Sequence, residues 1–191
     1  AAMLLFCPRA LMIVYFAWTE SMVVLCIALT LFFAIRAPRY LWIALGLALA
    51  SKQYMVLLLP LTLRLTSKKQ IAQAIALAAA ITLPFFLWNP GAFLKSVVLM
   101  QMQQPFRMDA LSFTALLARF TGWQLPSIIA FLAAGGALYW TWRVAPRTAA
   151  GFAAASTLIL IVFFAFNKQA FCNYYFLTAA MSCCAAAGCG A

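Results

Sequence analysis

Apolar residues dominate this chain in long runs, and the polar residues gather in short clusters between them. Residues 10–35 form the first run, with a surface turn expected before it at Cys7-Pro8-Arg9. Arg36-Ala37-Pro38-Arg39 closes it with charge and a helix breaker. A second run covers 41–65 and leads into the basic stretch Arg64 to Lys69. A third, 71–88, stops at Asn89-Pro90-Gly91, a strong turn signal. Runs at 126–142 and 148–166 flank another basic loop, Arg143 to Arg147. The polar, aromatic stretch 167–175 precedes the last run, 176–188. Several runs are long enough to cross about 30 Å of hydrocarbon. The pattern predicts an all-α integral membrane protein: one transmembrane domain over 1–191, a bundle of about five or six transmembrane helices.

The second run is interrupted at its middle by Ser51-Lys52-Gln53. An ammonium at the centre of a bilayer costs about 3 kcal/mol on insertion scales, so Lys52 needs either water or a polar cavity. If the run crosses once, the basic loops at 36–39 and 64–69 lie on opposite sides. If it dips and returns, they share a side with 143–147. That arrangement puts Arg36, Arg39, Arg64, Lys68, Lys69, Arg143 and Arg147 together. Arg9, Lys52, Lys95, Arg107, Arg119 and Lys168 then face the other way. The totals barely differ, but short loops govern orientation, and each half of the run is too short to span. The expected element is a broken, re-entrant helical hairpin.

Residues 89–125 form an outer segment on this reading. Phe113, Leu116, Leu117 and Phe120 follow helical spacing with Arg119 opposite, and 92–103 also reads as a helix. Both are expected to lie along the membrane surface, joined by 103–109.

Composition narrows the classes further. The chain is 68% hydrophobic and 8% charged, with 13 Lys and Arg against Glu20 and Asp109 alone, a net charge of +11. The cations flank apolar runs, so the charge indicates lipid headgroups and topology and not nucleic acid. There is no histidine, which removes the commonest general base and metal ligand. The cysteines, Cys7, Cys26, Cys172, Cys183, Cys184 and Cys189, show no CxxC spacing, and four lie in apolar helical stretches. Neither a metal nor a cofactor is expected. Cys7 and Cys172 could lie on the same side of the membrane and pair. The chain reads as part of a longer protein, with sequence missing at its N-terminus.

On the hairpin topology Glu20, Lys52, Gln53, Arg107, Asp109, Asn167, Lys168, Gln169 and Asn173 converge at the outer face. Cations and amides with few acids suit a phosphate or diphosphate. Each residue also has a plainer role. Lys52 could snorkel at a helix break, Lys168 could anchor beside Tyr174 and Tyr175, and Arg107 could touch a headgroup. Glu20 could form a structural ion pair, and Asp109 is most simply the N-cap of a helix over 110–121. Glu20 and Asp109 are the only candidate general bases.

Four segments together resemble the C-terminal two-thirds of a polytopic glycosyltransferase of the C type. They are Ala17-Trp-Thr-Glu-Ser21, Gly46 to Tyr54 with Pro60, Pro105 to Phe113, and Asn167 to Tyr175. The likeness is to the polyprenol-phosphate-mannose-dependent, mannosyltransferase-like proteins of glycosyltransferase family 87. The resemblance implies helices around a cavity open at the extracytoplasmic face of a bacterial inner membrane. There a polyprenyl-phosphate-linked sugar would meet a lipid or glycan acceptor. Lys52 would line the cavity and hold the donor phosphate with Lys168 and Arg107, and Gln53, Asn167, Gln169 and Asn173 would also line it. The family's catalytic aspartate lies in the first outer loop, which these residues do not include, so the chain alone is expected to be inactive. The rival readings are a transporter or flippase for an anionic lipid-linked substrate, and a non-catalytic membrane scaffold.

Overall fold

The structure is a computed structural model that describes residue 4, residue 6 and residues 10–189. Helices joined by loops make up the described residues, with no strand among them. The expected turn at Cys7-Pro8-Arg9, and with it the Cys7–Cys172 pairing, lies outside the described residues.

The first expected helix is two. Helix α1 (Ala10–Tyr15) ends at a bend where Ala17 takes φ 51°, and α2 (Glu20–Arg36) begins beyond it. A positive φ is costly for a residue with a Cβ, so the chain turns sharply there. The bend puts Glu20 in the first turn of α2, where a carboxylate meets the positive end of the helix dipole. Arg36 closes the same helix at its negative end.

The 41–65 run is broken where its polar residues stand. Helix α3 (Leu41–Ser51) stops as Lys52 becomes extended, at φ −151° and ψ 137°. A 3-10 turn (Gln53–Leu58) and the short α4 (Leu59–Thr62) follow. Gln70 Nε2 donates to Pro38 O at 2.7 Å, so the chain after α4 is back beside the loop before α3. The chain therefore reverses direction within residues 41–65.

Helix α5 (Lys68–Trp88) then runs alongside α3, with Gly46 against Ala74 and Leu77. Ser67 caps its start, accepting from Gln70 N. Asn89 ends it and caps α6 (Pro90–Leu94), accepting from Ala92 N at 2.9 Å. A π turn (Lys95–Leu99) and α7 (Met100–Gln103) continue that helix. Helix α8 (Phe113–Thr121) is capped by Ser112, which accepts from Ala115 N. Asp109 is therefore not the cap expected of it, because the helix starts after residue 112. Gly122, at φ 73°, terminates α8 in the left-handed conformation that glycine tolerates.

Helices α9 (Ile128–Val144), α10 (Ala149–Ala165) and α11 (Cys172–Cys189) complete the chain. Helix α10 is apolar on all sides and accordingly sits in the middle, burying Ile159, Leu160 and Phe164. Val23 and Ile27 of α2, Met55 and Leu58 of the hairpin, and Leu177 and Met181 of α11 join it in one core.

One end of the bundle gathers the basic loops: Arg64 donates to Ala145 O, and Gly188 lies against Ala150. The other end gathers the α1–α2 bend, the hairpin tip, residues 89–125 and residues 166–172. Among the described residues one helix, α5, is long and apolar enough to cross a membrane; α9 and α10 are apolar but have 17 residues each.

Candidate functional site

The hairpin tip carries Lys52 toward the start of α2. Its Nζ lies 3.1 Å from Glu20 Oε1, with the two side chains 24% and 2% exposed. The separation makes an ion pair, yet among the described residues Oε1 has no partner in good hydrogen-bond geometry, so the attraction is chiefly electrostatic. Tyr54, two residues on, stands edge-on to Phe164 and 6.1 Å from the ring of Tyr174. Its hydroxyl is buried without a partner among the described residues. A carboxylate, an ammonium and an unpaired phenol therefore share a poorly hydrated corner.

Next to it, residues 102–114 are laced to residues 167–175. Lys168 Nζ donates to Met102 O and Gln104 O at 3.0 and 2.7 Å, satisfying carbonyls at the C-terminal end of α7, where the helix dipole favours a cation. Gln169 Nε2 donates to Pro105 O at 2.9 Å, and Thr114 Oγ1 donates to Asn167 O at 3.0 Å. Backbone bonds run from Arg107 N to Lys168 O and from Leu111 N to Ala170 O. Tyr175 donates its hydroxyl proton to Leu111 O. Gln53 Nε2 reaches Val97 O at 3.5 Å, tying the hairpin tip to the π turn. Asn173 is half-buried in the first turn of α11.

Arg107 grips Asp109 with two bonds of 2.8 and 2.6 Å and lies 5.2 Å over the ring of Phe171. The guanidinium hydrogen bond holds the Asp109 carboxyl down at about 2, below the ordinary carboxylate range. Arg119 Nε donates to Met108 O at 2.6 Å, securing the same turn.

The expected site residues thus do come together at one end, but each of the three cations has a partner inside the protein. Lys52 has Glu20, Arg107 has Asp109, and Lys168 has two carbonyls. An anion entering here would exchange with those oxygens. An apolar crevice inside the hairpin, lined by Ile27, Leu45, Met55 and Phe152 among others, lies apart from these polar groups. Tyr54, Thr114 and Tyr175 were not foreseen as site residues. The position of Tyr54 two residues after Lys52 was the available signal for the first, whereas the others depend on a contact across 53 or more positions. No cluster of three metal-ligating side chains occurs among the described residues. No family model, curated protein or solved structure matches this chain.

Proposed function

We propose that this chain is part of a multi-pass membrane glycosyltransferase that takes a hexose, such as mannose, from a polyprenyl-phosphate donor at the outer end of the bundle. The membrane part of the reading is supported by apolar side chains that face outward on long helices. Trp88 is 87% exposed, Leu87 66%, Leu132 65% and Phe85 61%, a pattern that demands an apolar solvent or a partner. Helix α8 supports it too. It buries Thr114, Ala115 and Ala118 and turns Phe113, Leu116 and Phe120 outward, as a helix lying in an interface would.

The single observation that carries the donor site is the fold-back of residues 41–65. It delivers Lys52 to a buried carboxylate at the same end as Arg107 and Lys168. Cations released from internal oxygens would take the donor phosphate and stabilise the charge that grows as the glycosidic bond breaks. Glu20, displaced from Lys52, would be free to orient a sugar or acceptor hydroxyl.

The test does not require turnover. A photoactivatable polyprenyl-phosphate-sugar analogue, added to the detergent-solubilised chain, should label peptides containing residues 52–54, 104–109 or 167–175. Polyprenyl phosphate should compete and neutral polyprenol should not. Labelling spread evenly over α5 and α9 would reject the donor site. Translocation of the lipid-linked sugar across proteoliposomes by the chain would instead support a flippase, for which a broken helix with a buried ion pair is equally suited.

A further inference from the structure

The two ends of the bundle handle their charge in opposite ways. Both acidic side chains of the protein, Glu20 and Asp109, belong to the outer end. There Lys52, Arg107, Arg119 and Lys168 each meet an oxygen of the protein, and among the described residues Lys95 is the one cation at that end left exposed without a partner. The opposite end holds Arg36, Arg39, Lys68, Lys69, Arg143 and Arg147, all exposed, and no acidic side chain answers them. Among the described residues only two of them have a partner of any kind. Arg143 donates to Tyr139 Oη at 3.2 Å, and Arg39 lies 4.7 Å over the ring of Tyr40. A seventh cation, Arg64, is turned inward: it donates to Ala145 O and lies 5.7 Å from the Trp142 ring, pinning the 143–147 loop beside the 63–67 loop. Gln70 pins the 37–40 loop to the same cluster through Pro38 O. The three loops are therefore held side by side as one surface, which keeps their charges close.

We infer that this end of the bundle is a seat for anionic phospholipid headgroups, whose phosphodiester oxygens are the missing counter-charges. The inference rests on the membrane reading above and is independent of the glycosyltransferase. Adjacent side chains argue for lipid over nucleic acid. Tyr40, Tyr139, Trp140 and Trp142 are exposed on the helix ends just below the cations, where amphipathic rings settle at a headgroup layer. A nucleic acid lying on the loops would leave those rings in water. Near a surface each Lys or Arg adds roughly a five-fold preference for anionic lipid, so six clustered cations exceed what scattered charges achieve.

The experiment uses the whole chain in nanodiscs of mixed phosphatidylglycerol and phosphatidylcholine, with bound lipids identified by mass spectrometry after mild detergent extraction. Both leaflets are accessible, so orientation in the cell does not affect the result. The wild-type chain should retain phosphatidylglycerol over phosphatidylcholine several-fold, and the preference should fall as salt rises. The Arg36→Gln, Arg39→Gln, Lys68→Gln, Lys69→Gln variant should lose most of it. The outer-end variant Lys95→Gln, Arg119→Gln should keep it, and so should Lys68→Arg, Lys69→Arg. Equal retention in the four-fold variant and the wild type, or equal loss in the outer-end variant, overturns the inference. So does tight binding of an oligonucleotide without any lipid preference. Release of the wild-type chain from membranes by alkaline carbonate would reject the membrane reading itself, and the headgroup seat with it.

Discussion

Glu20 is 1% exposed and among the described residues its one ionic partner is Lys52, so the pair governs what either residue can do. Removing the ammonium strands a carboxylate in a dry site, which is worse than removing both charges. Lys52→Met should therefore cost about 3 kcal/mol, while the Glu20→Gln, Lys52→Met double variant should regain much of it. Thermal unfolding in detergent of the two singles and the double reads the difference. Asp109 offers a second measurement, because its carboxyl is held down at about 2 by Arg107. The folded-state value is depressed, so the stabilisation is complete above the ordinary carboxylate range and fades as pH falls through about 2. The carboxyl carbon resonance of Asp109 should titrate there, and Arg107→Gln should move the midpoint up toward about 4. An unmoved midpoint would mean that the guanidinium bonds are not the cause.

At the scale of elements, helix contacts are set by where side chains are small. A Cβ placed on Gly46 would lie 2.9 Å from both Ala74 O and Leu77 Cδ2, and the carbonyl belongs to α5 backbone that cannot swing aside. Gly46→Leu should push α3 and α5 apart and lower stability by roughly 1–3 kcal/mol, the usual cost of overpacking. Accelerated hydrogen exchange in both helices would register it, and unchanged protection would refute the close contact. The cap of α8 is equally specific. Ser112→Ala should cost about 1 kcal/mol and loosen 113–116, whereas an alanine at Asp109 should leave the helix start intact. Sequence reasoning located α8 from its apolar spacing but began it three residues early. A serine at 112 and an aspartate at 109 are both good caps, and only the backbone that follows decides between them.

For the whole molecule, the decisive feature is that residues 41–65 return to the end from which they set out. Single-cysteine variants of a chain lacking its native cysteines make this measurable. Ser67→Cys and Thr148→Cys should react with a membrane-impermeant reagent from one side, and Gln124→Cys from the other. Protection of Ser67→Cys when Thr148→Cys is labelled would be incompatible with the fold-back.

The sequence by itself determined that the chain is helical, where most helices stand, and that the second run must break at Ser51-Lys52-Gln53. Those are local consequences of apolar spacing, helix breakers and the cost of an isolated charge. It also pointed to residues that meet at one end of the bundle, among them Glu20, Lys52, Arg107 and Lys168. Tertiary structure alone decided the partners. The oxygens that occupy Lys52 and Lys168 and the burial of the unpaired Tyr54 hydroxyl against Phe164 arise from contacts between distant segments. A charge announces from the sequence that it needs an opposite; which atom supplies it depends on distances that only the folded chain creates.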